Sequence, residues 1–462
     1  MEQYRLGVEG LDEALKEVVR PGTLLVVAGH PGTGKTTLAS VICYSNAVRG
    51  NKCLYVSFQE TKEKLLRVAR SLGMDFNEIE AKGLYSFLRM PVIKSLEYAI
   101  EHINSYVAGM SPKVVVIDPI NTLLEGMEGV DKRAWLQNYF YNLPQVTSGL
   151  GVLVAEIPVG EERVELGAIE FVADAILILK RRVERGLLSR VIEIRKARES
   201  PLQFVEIPFH IVEGKGIEVL IPQMQRKPGK RLEYYEVRAP VLRGFIEKLP
   251  VDGVVVYQHP PDARIYTPLY FMIDIALRYD LRALIISFTE TPYRVVETLK
   301  GMVTQELKFN EVEVNNFLSK HLITVEHINP YSMPLSEIWL HLTNLITTYK
   351  PNALILHGVN ALYTLLATED LATSIAGVFN ALQLLKSMGV LTIITHSYVE
   401  PKIQNFITST CDLVLRLYYK IKEDSVDIYI YAWKHGSPPN IYRLDLNEVV
   451  GSVREYFQRI IK

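Results

Sequence analysis

The sequence predicts an α/β fold made of two tandem units, each a mainly parallel β-sheet flanked by helices. Three observations carry this expectation. Apolar runs of strand length alternate with amphipathic stretches of helical period through the first half, the pattern of a parallel sheet covered on both faces. One such strand runs into Gly29-His30-Pro31-Gly32-Thr33-Gly34-Lys35-Thr36, which fits G-x-x-x-x-G-K-[ST] at every fixed position and is followed by Thr37 and a helix. The succession then returns: Ser57-Phe58-Gln59-Glu60-Thr61 is echoed by Ser287-Phe288-Thr289-Glu290-Thr291, with 290 − 60 = 230. Two copies of one unit account for the length of 462 residues.

The elements of the first half read in order. Residues 6–15 lead into a short helix ended by Pro21-Gly22, and 23–28 form the apolar strand before the glycine-rich loop. A helix then runs to about Val48, and Arg49-Gly50-Asn51 turns the chain into the strand 53–58, which ends on Gln59-Glu60-Thr61. Leu65, Leu66, Val68, Ala69 and Leu72 mark an amphipathic helix closed by Gly73. A short strand near 84–88 and a helix over 93–108 precede 113–118, an apolar run closed by Asp118 and flanked by Pro119. That run reads as a fully buried parallel strand. A helix over 132–145 and strands at 151–156 and 190–195 complete the unit. In such a sheet a ligand sits at the carboxyl ends of the strands.

Composition bounds the rest. With 48% hydrophobic and 22% charged residues the chain has ample core, and a net charge of −1 gives no basic field to attract nucleic acid. Cys43, Cys53 and Cys411 have no metal-ligand spacing, and the first two, in apolar surroundings, read as buried thiols. No charged-then-apolar leader is visible and no apolar run approaches the ~20 residues of a membrane helix. A cytoplasmic chain without membrane attachment is expected.

The chemistry gathers at the strand ends. The glycines let the backbone wrap a polyphosphate and turn N–H groups inward, and the helix adds its positive end. The expected nucleotide contacts are Gly29, Pro31, Gly32, Thr33, Gly34, Lys35, Thr36 and Thr37. Lys35 would reach the β- and γ-phosphates, the Thr36 hydroxyl would join the Mg²⁺ shell, and Asp118 would hold that ion through water. A plain reading stands beside each: a glycine-rich turn for the loop, a capping aspartate before Pro119 for Asp118. Glu60 either orients and deprotonates the attacking water or is a solvated acid at a helix start, stabilising without catalysis. Lys196 and Arg198, alternating at a strand end, suit finger residues on a phosphate, although basic strand ends are common.

The ordered series Gly10-Leu11-Asp12, the glycine-rich loop, Phe58-Gln59-Glu60-Thr61, Val116-Ile117-Asp118, Ile169-Glu170-Phe171-Val172-Ala173-Asp174 and Lys196-Ala197-Arg198-Glu199-Ser200 resembles the KaiC domain of the RecA-superfamily ATPases over residues 3–222. The resemblance implies a RecA-like fold, slow ATP hydrolysis with Mg²⁺, and ATP held between the subunits of a hexameric ring. It makes Lys35, Thr36 and Asp118 the holders of ATP and Mg²⁺, Glu60 the second of two adjacent catalytic glutamates, and Lys196 and Arg198 the residues reaching across the interface. The first glutamate of that pair is Gln59 here, which positions water but cannot take its proton. Slow hydrolysis, or hydrolysis on Glu60 alone, follows.

Between the expected domains, 1–222 and 240–462, residues 223–239 are basic and broken by prolines and read as a linker. Beyond it, matching His259-Pro260 to His30-Pro31 (259 − 30 = 229) sets Gln258, Pro261, Ala263, Arg264 and Ile265 against Gly29, Gly32, Gly34, Lys35 and Thr36. His357 takes the slot of Asp118, the run from Gly389 parallels that from Gly151, and 433–437 parallels 196–200. Proline donates no N–H and isoleucine cannot ligate Mg²⁺. The second half is therefore expected to be a pseudo-ATPase domain serving assembly, regulation or partner binding. Thr408-Ser409-Thr410 falls where double-domain KaiC proteins carry phosphorylatable hydroxyls; with no local ATP site as donor it reads as a polar turn and helix cap.

A regulatory, ring-forming ATPase signalling to partner proteins is the leading expectation. A DNA-handling recombinase or helicase uses the same fold. Lys180-Arg181-Arg182 and the basic linker suit it, but the loops at 125–129 and 160–165 are acidic and would repel phosphates. A third reading, an ATP-dependent scaffold that does not hydrolyse, is motivated by Gln59 and the altered second half.

Overall fold

A computed structural model describes residues 4–91, 95–125, 130–158, 160, 169–200, 206–219, 233–238, 243, 246–260, 266–305, 307–366, 382–397, 401–422, 426–434 and 436–461. The chain forms two compact units, residues 1–221 and 222–462.

The first unit is built on a nine-stranded sheet. Its strands in chain order are β1 (Thr23–Gly29), β2 (Cys53–Ser57), β3 (Tyr85–Arg89), β4 (Val114–Asp118), β5 (Leu150–Glu156), β6 (Ala175–Glu184), β7 (Leu187–Ala197), β8 (Glu206–Val212) and β9 (Gly216–Val219). They lie in the order β3-β2-β4-β5-β1-β6-β7-β8-β9. The pairs from β3 to β6 are all parallel, and β6 to β9 are antiparallel. β1 is thus central, between β5 and β6, and all seven of its residues are buried. Its alternate side chains serve two cores. Leu25 and Val27 pack with Leu38 and Ile42 of the helix Lys35–Ala47; Leu24, Val26 and Ala28 pack with Ala99 and Ile103 of the helix Leu96–Met110. A strand buried on both faces needs this unbroken apolar sequence.

Cys43 and Cys53 are not free thiols. The helix Lys35–Ala47 and the first residue of β2 bring their Cα atoms to 5.8 Å, and a disulfide joins them. Cys411 is free and buried.

The second unit repeats the plan. A short hairpin pairs β10 (Tyr234–Glu236) with β11 (Lys248–Pro250). Residues 234–236, expected to belong to the linker, are therefore sheet, and the adjoining Val237 is buried. The eight-stranded sheet that follows comprises β12 (Val254–His259), β13 (Ala283–Ser287), β14 (Leu322–His327), β15 (Ala353–His357), β16 (Leu391–Ser397), β17 (Leu413–Ile421), β18 (Val426–Lys434) and β19 (Asn440–Leu444), in the order β14-β13-β15-β16-β12-β17-β18-β19. This is the order of the first sheet, strand for strand, without an equivalent of β9 among the described residues. The chain holds two RecA-like domains of one topology.

Their register corrects the sequence match. In the first unit Asp174 exchanges backbone and carboxylate hydrogen bonds with Leu24; in the second, Asp412 does the same with Val254. Since 254 − 24 = 230, β12 follows β1 at the offset already seen for Ser287 and Ser57, not at 229. Two hydrogen-bonded ladders outweigh the coincidence of a His-Pro dipeptide. His259 therefore stands in the place of Gly29, and counting onward sets Asp262, Arg264, Ile265 and Tyr266 against Gly32, Gly34, Lys35 and Thr36. Residues 261–265, with Pro261, Ala263 and Arg264, lie outside the described residues. Similarly Leu391 pairs with Ala353 as Leu150 pairs with Val114, which matches Gly389 to Ser148, both left-handed (φ 69° and 47°), rather than to Gly151.

Among the described residues no helix is long and apolar enough to cross a membrane. Residues 126–129, 161–168 and 220–232, the last covering the first part of the expected linker 223–239, lie outside the described residues.

Reduction of the Cys43–Cys53 bridge frees a short loop in the unfolded chain, a loss of about 2–3 kcal/mol. Thermal melts with and without reductant should show a lower midpoint in reductant for the wild type and no further shift for Cys53→Ala.

Candidate nucleotide site

The carboxyl ends of β1, β4 and β5 meet where the glycine-rich loop leaves the sheet. Gly29, Gly32 and Gly34 have φ of 156°, 75° and 107°. A Cβ on Gly29 would strike the carbonyl of Leu179 and come within 2.8 Å of the Thr33 hydroxyl. The loop is thus closed against β6 in a way only glycine allows. Gly34 precedes the helix Lys35–Ala47 as its left-handed N-cap. Thr33 is fully buried and its hydroxyl donates to the His30 carbonyl at 2.9 Å. The ring of His30 is held by the Ile157 carbonyl at 3.1 Å. Pro31 and Gly32 form the exposed crest, and Thr36 and Thr37 are half-buried in the first helical turn.

Lys35 is only 6% exposed. Its Nζ donates to the His30 carbonyl at 3.0 Å. Burial pushes its pKa down, while the nearby carboxylates of Glu156 and Asp118 pull it back up. Asp118, also 6% exposed, accepts from the Tyr55 hydroxyl at 2.6 Å, and the Thr36 hydroxyl stands nearby. Burial raises the Asp118 pKa; the Tyr55 hydrogen bond, the nearby Thr36 hydroxyl and Lys35 oppose that, and Glu156 reinforces it. The Glu156 backbone is clamped by Asn121, whose amide donates to the Glu156 carbonyl at 3.0 Å and accepts from its N–H at 2.7 Å. One buried cation therefore faces two carboxylates across a glycine cradle. The residues fit a magnesium-bound polyphosphate: N–H groups and Lys35 for the phosphates, and the Thr36 hydroxyl near the Asp118 carboxylate for the ion.

Gln59 and Glu60 follow β2, level with Asp118, because Ser57 pairs with Asp118. Gln59 is exposed. Glu60 is held at both backbone groups by the Ser57 hydroxyl, and its carboxylate pairs with Lys64 at 2.8 Å. Thr61 caps the following helix by accepting from Lys64 N–H.

Lys196 and Arg198 are not brought to this loop. Lys196 pairs with Ile176, whereas Gly29 pairs with Leu179, three residues farther along β6. The two cations sit about 10 Å back along the strand direction, at the other end of the sheet. Lys196 Nζ donates to the carbonyls of Glu170 and Phe171 at 2.9 and 3.0 Å; Arg198 donates to Phe171 O and lies 3.5 Å from Asp174.

Tyr55, Asn121 and Glu156 belong to the site but were not singled out in the sequence. Glu156 carried a signal, since like Asp118 it closes an apolar strand. Tyr55 carried none, because a strand tyrosine reads as core.

The family model described as "ATPase: KaiC" matches residues 4–224. The first unit belongs to the KaiC family of P-loop ATPases. Its relatives include the "Circadian clock oscillator protein KaiC" of Thermostichus vulcanus, 28% identical over 216 residues, 46% of this chain and 41% of that protein. The "Circadian clock protein KaiC2" of Synechocystis sp. is 34% identical over 104 residues, 22% of this chain and 18% of that protein. The "UPF0273 protein PH0284" of Pyrococcus horikoshii is 26% identical over 250 residues, half of this chain and 98% of that protein. The match thus spans about two fifths of the clock protein and nearly all of the archaeal one.

The same edge of the second sheet is different in kind. In register, His259, Ile285, His357 and Ser397 replace Gly29, Tyr55, Asp118 and Glu156. Burial lowers the pKa of His259 and of His357, the latter opposed by Glu290, and holds His396 down at about 4. His357 lies 3.8 Å from Glu290 and 3.0 Å from the Thr395 hydroxyl. Trp433 stands where Lys196 stands, opposite Val414. Ser409 and Thr410 end the helix Pro401–Thr410, their hydroxyls bonded back to Phe406 and Ile407 carbonyls.

A raised pKa means that the folded, ligand-free protein binds the Asp118 proton more tightly than the unfolded chain. The contribution of Asp118 to ligand-free stability is therefore full at pH below the ordinary carboxylate range and lost as pH rises through its raised pKa. Urea titrations across pH should show Asp118→Asn more stable than wild type at pH 8 and equal to it at the acid end. Tyr55→Phe, which strips a donor from a buried carboxylate, should cost about 1–3 kcal/mol at pH 8.

Proposed function

We propose that the first unit binds Mg-ATP and hydrolyses it slowly, within a homo-oligomeric ring that reports its nucleotide state to protein partners. The observation that carries this reading is the buried Lys35, set between the His30 carbonyl and the carboxylates of Asp118 and Glu156. A buried ammonium facing two carboxylates in an open glycine cradle suits a ligand that brings both phosphate and a divalent ion. When bound, Mg²⁺ would neutralise charge developing on the phosphates. The loop residues from Gly29 to Thr37 would hold the phosphates, Thr36 and Asp118 would hold the ion, Asp118 through water. Glu60 would orient and deprotonate the attacking water, with Gln59 helping to position it. Glu60 then has to leave Lys64, and the absence of a second acid at Gln59 argues for a slow step.

Lys196 and Arg198 bear on assembly. Their place at the far end of the sheet from the loop of their own unit suits service to a neighbouring subunit. On that reading ATP lies between subunits, in a hexamer by resemblance to the family. The second unit lacks the lysine, the threonine and the Asp118 and Glu156 carboxylates in register, which favours an assembly or partner-binding role without nucleotide chemistry.

Light scattering on the full chain with and without Mg-ATP, with phosphate release read on the same sample, tests this. The expected result is an ATP-dependent oligomer with slow release. Lys35→Ala should abolish ATP binding, and Glu60→Gln should keep binding while losing turnover by about 10²–10⁴-fold. A monomer under both conditions removes the role given to Lys196 and Arg198. A ring with no release above the Lys35→Ala background favours a scaffold that does not hydrolyse.

A further inference from the structure

Lys180, Arg181 and Arg182 form a basic run on β6, and the pleat separates them. Lys180 is paired with Glu193 and lies 3.5 Å from Glu206; Arg182 binds Glu206 at 2.7 Å. Both therefore spend their charge on one face. Arg181 points to the other face, that of Leu177 and Leu179, which also carries the helix Lys35–Ala47. Among the described residues Arg181 makes no hydrogen bond or ion pair. Its guanidinium lies over the crest of the glycine-rich loop: a Cβ on Gly32 would be 3.3 Å from one of its terminal nitrogens. Directly across the ladder stands Arg190, a like charge on the same face.

The strand order gives this cation a side. β4 and β5, which bear Asp118 and Glu156, lie on one side of β1, and β6, which bears Arg181, lies on the other. Lys35 faces the carboxylates; Arg181 covers the loop from the opposite direction, away from the ion-holding groups. We propose that Arg181 is a second cation of the phosphate site, acting within its own unit on the diphosphate that ATP and ADP share rather than on the terminal phosphate. This inference rests on the reading of the loop as a nucleotide site.

The test is calorimetric titration of the full chain with Mg-ADP and with a Mg-bound non-hydrolysable ATP analogue. A charge-assisted bond of ordinary strength is worth about tenfold in affinity. Arg181→Ala should weaken both ligands by about tenfold, Arg181→Lys by less. Arg182→Ala, on the other face and paired with Glu206, should match wild type, as should the thermal midpoint of ligand-free Arg181→Ala. Wild-type binding that Arg181→Ala leaves unchanged for both ligands overturns the proposal alone. Loss confined to the ATP analogue overturns the assignment to the shared diphosphate. Failure of the wild type to bind either ligand overturns the nucleotide reading itself, and this inference with it.

Discussion

Everything at the candidate site depends on keeping one ammonium group buried. Lys35 sits at 6% exposure with a single carbonyl acceptor among its direct hydrogen bonds, and its charged form survives because Asp118 and Glu156 stand close. An unpaired buried charge would cost several kcal/mol or titrate away. The two carboxylates come from adjacent strands, β4 and β5, and reach the lysine only because β1 lies beside β5 in the sheet. The apolar cores on both faces of β1 fix that adjacency. Strand order, loop conformation and charge balance are thus one constraint, and the burial that disfavours ionised Asp118 in the free protein is the strain a divalent ion would relieve.

The second unit shows how little of the fold needs that constraint. It keeps the strand order, the paired backbone ladder of Asp412 and Val254, and the serine that ends the second strand. It keeps an acid, Glu290, where Glu60 stands. What it replaces is charge: Asp118 by His357 and Glu156 by Ser397, with the imidazoles pushed toward their neutral forms by burial. The edge has lost the counterparts of Asp118 and Glu156, yet the domain retains its core. The topology is kept in this chain while the charged residues at the strand ends are exchanged.

Much of this was legible in the sequence because it is local. The glycine-rich loop is contiguous, and Asp118 closes a strand whose unbroken apolar run announces burial on both faces. What was not legible depends on pairing between distant segments. Tyr55 and Glu156 join the site through the β2-β4-β5-β1 arrangement, which no single stretch encodes. The His-Pro dipeptides suggested an offset of 229, but the ladders set 230, and one residue decides which side chain replaces Lys35. Cys43 and Cys53 gave no pairing signal, and residues 234–236 look like linker until 248–250 are there to pair with them. Lys196 and Arg198 read as phosphate contacts, yet only the antiparallel run of β7 reveals that they lie at the far end of the sheet.

The central claim is that a single nucleotide site serves a chain with two copies of the fold. Equilibrium dialysis of the full chain against a Mg-bound, non-hydrolysable ATP analogue counts those sites directly. The account predicts one nucleotide per chain in the wild type and none in Lys35→Ala. Two per chain, or one that survives in Lys35→Ala, would place nucleotide chemistry in the second unit and contradict it.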